Sequence, residues 1–109
     1  MTIREMQVEH LAWEQHNFPS TMGQYNGPFK GIVEEVGELS HSLLKQEQGI
    51  RGTYEEHEKL AKDALGDMLV FMLSFCHAKG WDLQSIFEGT WNEVKKRDWI
   101  KFPFDGLTK

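Results

Sequence analysis

The fold is decided by two apolar stretches, residues 31–44 with the sequence GIVEEVGELSHSLL and residues 60–76 with the sequence LAKDALGDMLVFMLSFC. In both stretches apolar residues recur at spacings of three and four, which is the period of an amphipathic helix. Both stretches also carry acidic residues, and a carboxylate near an apolar core is costly unless something compensates its charge. The two stretches therefore predict a pair of packed helices with an acidic site between them.

The acidic residues form one set on each predicted helix. Glu34, Glu35 and Glu38 share one sector of the first helix, and Asp63 and Asp67 are four residues apart on the second. Asp is a poor residue for the middle of a helix, so its repeated presence there needs a reason. A hard divalent cation compensates clustered carboxylates because it binds oxygen ligands. We therefore expect a Mg²⁺ site, with Mn²⁺ as the alternative ion; the competing interpretation is a solvated acidic helix face.

The residues outside these two stretches predict two further helices, one before and one after the predicted pair. Pro19 ends the first helix, Thr53 is an N-cap in a capping box with Glu56, Gly80 is a C-terminal glycine, and Asp82 caps the last helix. No segment alternates with period two, so the predicted class is all-α. The predicted helices span residues 2–17, 28–48, 53–79 and 82–97, and the tail 98–109 is expected to be irregular.

Length and composition narrow the class of protein. A chain of 109 residues predicts one domain with a limited core, which association often completes, so we expect a homodimer or a dimer of dimers. The net charge of −5 argues against nucleic acid and anionic membrane as partners. Cys76 is the only cysteine, and no signal peptide or membrane-spanning stretch is evident, so a reducing cytoplasm is the expected location.

At the acidic residues the chain resembles the MazG-like, all-α nucleoside triphosphate pyrophosphohydrolases, whose signature is E-E-x-x-E followed after a gap by E-x-x-D. Residues 34–39, EEVGEL, match the first half, and residues 65–69, LGDML, match the surroundings of the final Asp. The resemblance covers roughly residues 28–77 and implies a four-helix MazG-like bundle completed by dimerisation. Ala64 stands where the family has its second-motif Glu, and the adjacent Asp63 is the candidate substitute.

The resemblance implies Mg²⁺-dependent hydrolysis of a nucleoside triphosphate between the α and β phosphates, giving a nucleoside monophosphate and pyrophosphate. Carried over by position, Glu35, Glu38 and Asp67 are the expected metal ligands. Glu34 is expected to hold a second Mg²⁺ or to orient the attacking water, so that Glu34, Glu35 and Glu38 form the expected catalytic set. The implied role is the removal of noncanonical nucleotides or the adjustment of a nucleotide pool.

Two other regions are candidate substrate contacts. Lys95, Lys96 and Arg97 are a dense basic cluster, which suits phosphate binding, and Asn92 shares a face with Lys96. The alternative is a basic last turn that complements the helix dipole. Trp13, His16, Asn17 and Phe18, at the end of the first helix, suit base stacking and edge recognition, and the alternative is that Trp13 and Phe18 are ordinary core or dimer-interface residues. The five histidines form no H-x-x-x-H pair and are not expected to bind metal.

Two rival classes remain open for the whole chain. One is a nucleotide-binding or regulatory helical module with little or no turnover, for which Ala64 is the main support. The other is a structural helical dimerisation domain with an acidic surface, which predicts no change in stability when Mg²⁺ is added.

Overall fold

The computed structural model describes residues 1–108 and is built from four α-helices, with no strand among those residues. The predicted all-α class is thereby confirmed. The helices are α1 (Ile3–Asn17), α2 (Asn26–Gln48), α3 (Tyr54–Lys79) and α4 (Leu83–Val94), and a short 3₁₀ turn (Pro19–Thr21) follows α1. Within these residues no helix is long and apolar enough to cross a membrane.

The helix boundaries follow the capping residues read from the sequence. The Thr53 side chain accepts a hydrogen bond from the Glu56 backbone N–H at 3.1 Å, and Asp82 accepts one from the Ser85 N–H at 3.2 Å. Gly80 ends α3 in the left-handed region at φ 70°, where glycine pays no steric cost. These caps confirm the predicted limits of α3 and the predicted start of α4.

Two predicted boundaries were wrong by a few residues. Helix α2 begins at Asn26 instead of Pro28, which leaves Pro28 in the first turn, where its missing N–H costs no hydrogen bond. Helix α4 ends at Val94 instead of Arg97. The chain turns there because the Arg97 N–H bonds back to the Val94 carbonyl, and the Asp98 N–H then donates to the Gly106 carbonyl at 2.7 Å.

Helices α2 and α3 form an antiparallel hairpin that supplies most of the packing. Its register is set by Gly31, which lies against Phe71, and by Gln46, whose amide donates to Glu58 at 2.9 Å. A Cβ added at Gly31 would lie 2.5 Å from the Phe71 ring, so only glycine allows the two helices to approach this closely. The same register places Glu35 level with Asp67 and Glu38 level with Ala64.

Helix α1 packs on α3 and α4 but not on α2. Its side chains are tied to the start of α4: the Gln7 amide donates to the Trp81 carbonyl at 2.8 Å, and its oxygen accepts from the Leu83 N–H at 2.9 Å. Arg4 forms an ion pair with Asp82 at 2.8 Å. Helices α1 and α2 both pack on α3, but their backbones do not approach each other closely. A cleft therefore opens between them.

Helix α4 projects from the rest of the chain. The Cα radius of gyration is 17.7 Å, whereas a compact domain of this length is expected to have about 13 Å. Apolar side chains of α4 and the tail face solvent, with Trp91 55%, Phe104 90% and Ile100 97% exposed. No large side chain in residues 1–108 is fully buried. The predicted four-helix bundle is therefore not closed within one chain, since among the described helices α2 packs on α3 alone.

Candidate functional site

The cleft between α1 and α2 is a cavity of about 320 Å³, which we call the central cavity. Its volume lies in the range of pockets that hold small molecules. Side chains from α1, the following Phe18, α2 and α3 line it, so all three helices position it. The lining residues are His10, Trp13, Glu14, Phe18, Glu35, Asp67, Val70, Phe71 and Ser74.

Two of the predicted metal ligands meet in this cavity. Glu35 enters from α2 and Asp67 from α3, at the same level of the hairpin. Burial raises the pKa of Glu35, and the charges of Asp67, Glu38 and Glu34 raise it further. Ionising Glu35 therefore works against burial and against three neighbouring carboxylates. The predicted convergence of the two acidic sets is thus present for Glu35 and Asp67.

Glu34 and Glu38 lie on the other side of Glu35. They line a neighbouring groove together with Gly37, His41, Ser42 and Leu60, which we call the side groove. Their charges still act on Glu35, as its raised pKa records. The four carboxylates therefore surround one level of the α2–α3 hairpin, with Glu35 between the central cavity and the side groove.

The donor set suits a hard divalent cation. Among residues 1–108 the ion pairs with Lys or Arg are Arg4–Asp82 and Lys96–Glu93, so none of the four carboxylates is neutralised by a basic side chain. Clustered oxygens with uncompensated charge are the ligands that Mg²⁺ binds. A cation there would convert their mutual repulsion into attraction.

The second half of the MazG-like motif would place a Glu at position 64, where this chain has Ala64 with Asp63 beside it. Ala64 is only 4% exposed and belongs to the small core of the hairpin. Asp63 is exposed and lines neither the central cavity nor the side groove. The position at which the family carries a carboxylate is therefore filled by packing, and substitution of that carboxylate by Asp63 stays a prediction.

Two of the four predicted base contacts, Trp13 and Phe18, line the central cavity. Trp13 faces it and packs edge-on against Phe18, with ring centroids 5.8 Å apart. His16 and Asn17 are exposed and do not line it, and the Asn17 amide donates to the Trp13 carbonyl at 2.9 Å. His10 and Glu14 also line the cavity, although the sequence did not indicate them as site residues.

The predicted phosphate contacts lie outside both cavities of the same chain. Asn92, Lys95, Lys96 and Arg97 belong to the projecting α4 and the turn after it, and all are exposed. Lys96 pairs with Glu93 at 3.3 Å. None of the four lines the central cavity or the side groove, where the acidic residues lie.

A second group of possible metal ligands was missed in the sequence. His10 and Glu14 on α1 and His77 on α3 offer ligand atoms that all lie within 4.8 Å of one another. Burial lowers the pKa of His10 and of His77, and the neighbouring His10 lowers that of His77 further, so both favour the neutral imidazole. The four-residue spacing of His10 and Glu14 was the only local signal, since His77 is far away in the chain.

Comparisons with protein-family models, curated proteins and solved structures gave no match. The assignment of a function therefore depends on the residues of the site and on the resemblance of their motif.

Proposed function

We propose that the protein is a Mg²⁺-dependent nucleoside triphosphate pyrophosphohydrolase, cleaving between the α and β phosphates. The observation that carries the proposal is the meeting of Glu35 and Asp67 from two helices in one cavity, with Glu34 and Glu38 close enough to act on Glu35. Clustered carboxylates that no Lys or Arg neutralises favour the binding of a cation. A cation beside a cavity large enough for a small molecule favours a phosphorylated ligand.

Each residue then has a role in the proposed reaction. Glu35, Glu38 and Asp67 would hold Mg²⁺, which when bound supplies neutralisation of phosphate charge and a lowered pKa for an attacking water. Glu34 would orient that water or hold a second ion. Trp13, which lines the same cavity, would stack on the base. Catalysis by this arrangement rests on positioning and electrostatics, as it generally does for phosphoryl transfer.

The proposal includes a homodimer. The α4 helix of one chain leaves its own acidic cluster uncovered and exposes Ile86, Phe87 and Trp91. Helices α2 and α3 expose apolar side chains as well, among them Val36, Leu43 and Leu69. A second copy would bury these faces and could carry Lys95, Lys96, Arg97 and Asn92 to the phosphates. Within one chain those four residues line neither the central cavity nor the side groove, so a phosphate contact by them would have to be made in the partner's site.

Ala64 favours a second candidate, a nucleotide-binding module without turnover. Its side chain is buried level with Glu38, so this position of the site supplies no carboxylate oxygen. A site with fewer ligands can retain a metal–nucleotide complex and lose the alignment that hydrolysis requires. Ala64→Glu does not test this cleanly, because a carboxylate placed in the hairpin core would destabilise the fold.

The test is pyrophosphate release from a panel of ribo- and deoxyribonucleoside triphosphates, with Mg²⁺ and with EDTA. Glu38→Gln removes one proposed ligand. Glu47→Gln is the matched control, because Glu47 is exposed on the same helix and lines neither the central cavity nor the side groove. We expect Mg²⁺-dependent release that Glu38→Gln loses and Glu47→Gln keeps.

Two other results would contradict hydrolysis. If no nucleotide is cleaved but Mg²⁺ with a nucleotide raises the melting temperature, the binding module is the better description. If neither cleavage nor stabilisation occurs in folded protein, the acidic cluster is a solvated helix face and the chain is a structural domain.

A further inference from the structure

Three side chains outside the acidic cluster converge where α1 crosses α3. His10 and Glu14 are one turn apart on α1, so they share a face, and His77 reaches them from α3. The two imidazole rings are nearly parallel, with an interplanar angle of 9° and centroids 5.4 Å apart. One ligand atom from each residue lies within 4.8 Å of the other two.

The two rings hold polar atoms with no partner. Nδ1 of His10 and Nε2 of His77 are buried and make no hydrogen bond. Buried polar atoms in folded proteins are almost always paired, and an unpaired one is a net cost to folding. Each imidazole of the cluster therefore has a buried ring nitrogen that makes no hydrogen bond within residues 1–108 and is available as a ligand.

We propose that His10, Glu14 and His77 form a binding site for a transition-metal ion of the Zn²⁺ class. Two imidazoles and one carboxylate are a typical ligand set for such ions and leave a fourth position open. This donor set differs from the all-oxygen cluster of Glu34, Glu35, Glu38 and Asp67, which suits Mg²⁺. The site is independent of the proposed hydrolase activity.

The surroundings support the role of Glu14. The Ser74 hydroxyl donates a hydrogen bond to one of its carboxylate oxygens, which leaves the other oxygen for the metal. Such a bond from a neighbouring side chain fixes the orientation of a ligating carboxylate. His10 and Glu14 both line the central cavity, so the open position of the ion would face it.

Metal binding would join α1 to α3. The three donor atoms lie within 4.8 Å of one another, so one ion with bonds of about 2.1 Å is within reach of all three after small side-chain adjustments. An ion that binds the folded chain in this way raises its melting temperature. A histidine stack that merely packs would give no such response.

The experiment uses chelator-treated full-length protein in buffer with excess Mg²⁺, so that the acidic cluster is supplied with its own ion. Co²⁺ is added as a spectroscopic probe, and the melting temperature is followed separately with Zn²⁺. We expect one equivalent of Co²⁺ to produce visible ligand-field absorption and Zn²⁺ to raise the melting temperature. His77→Gln and His10→Gln should each weaken binding by more than about tenfold, with far-UV circular dichroism confirming that the variants fold.

Three controls separate this site from others. His16→Gln changes an exposed histidine of the same helix and should leave the Co²⁺ spectrum intact. Glu35→Gln and Glu38→Gln should also leave it intact, so a failed hydrolase assay and a failed Co²⁺ titration are distinguishable. The proposal is overturned if Co²⁺ gives no absorption, or if His10→Gln and His77→Gln bind it as tightly as the original chain.

Discussion

Glu35 of α2 and Asp67 of α3 line one cavity from two helices, at the same level of the antiparallel hairpin. Burial is the main reason that the pKa of Glu35 is raised, and the charge of Asp67 is the second. The pair is therefore unfavourable in the absence of a cation, although it is well placed to bind one. This opposition between stability and binding can be measured.

Glu35→Gln should have opposite effects on stability with and without Mg²⁺. Without the ion, the substitution removes a charge that repels Asp67, Glu38 and Glu34, so the melting temperature should rise. With Mg²⁺, it removes a ligand, so the stabilisation by the ion should shrink or vanish. Thermal melts over a Mg²⁺ series check both effects. Glu47→Gln, the exposed control on the same helix, should alter neither.

The raised pKa of Glu35 also predicts a pH dependence for the metal-free protein. The folded state holds the Glu35 proton more tightly than the unfolded state does, so stability falls as the pH rises from the ordinary glutamate value of 4.5 through the raised one. Glu35→Gln should flatten this part of the stability profile, as measured by urea unfolding in EDTA. An unchanged profile would show that neither burial nor the neighbouring carboxylates raise the pKa of Glu35.

Asp82 should behave in the opposite direction. Hydrogen bonds from Arg4 and then Ser85 lower its pKa from 3.8 to about 2. The stability that it contributes is therefore complete above its ordinary value and is lost as the pH falls from about 4 toward 2. Arg4→Gln should raise the pKa of Asp82, but the hydrogen bonds from Ser85 should keep it below its ordinary value. NMR titration of the Asp82 carboxyl group checks this. Lys62→Gln, an exposed change on α3, should leave it at about 2.

Gly31 is predicted to be the helix glycine least tolerant of alanine. The added Cβ would lie 2.5 Å from the Phe71 ring, and overpacking of this kind costs about 1–3 kcal/mol. Gly37 lies in the same helix with nothing within 4 Å, so Gly37→Ala should stabilise by roughly 0.5–1 kcal/mol. Urea unfolding at one protein concentration compares them. Equal effects would mean that α2 and α3 are not in the described register.

Subunit complementation tests whether α4 acts across a dimer. Lys96→Ala and Glu35→Gln should each reduce pyrophosphate release strongly. If Lys96 serves the site of its partner, chains of both variants co-expressed with different tags form mixed dimers with one intact site. The mixture should then recover about a quarter of the original activity, because half of the dimers are mixed. No recovery above the average of the two variants would place Lys96 in its own site or in none.

The local structure could be read from the sequence, because each signal lies within a few residues. Thr53, Gly80 and Asp82 fix their helix ends through hydrogen bonds and backbone angles that depend on near neighbours. The pairing of Glu35 with Asp67 was predictable only as an antiparallel possibility. Its exact register depends on Gly31 against Phe71, a contact that the apolar spacing does not distinguish from a neighbouring register.

The parts of the site that could not be predicted depend on long-range contacts. The direction of α4 is set by Gln7 against Trp81 and by Arg4 against Asp82, which are far apart in the chain. Without those contacts the basic cluster at Lys95–Arg97 looked like a phosphate clamp in the same chain. His77 joins His10 for the same reason, through the crossing of α1 and α3, so no motif could reveal it.

The close approach at Gly31 has a consequence for how new specificities could be obtained. It locks together the two helices that carry the acidic residues, whereas α1 forms the opposite wall of the cavity and does not touch α2. Trp13 faces the cavity from α1 and packs against Phe18, so we expect that it can be exchanged without disturbing the hairpin. In a directed-evolution library, Trp13 and Phe18 are the positions to randomise, and the α2–α3 hairpin is the segment to keep.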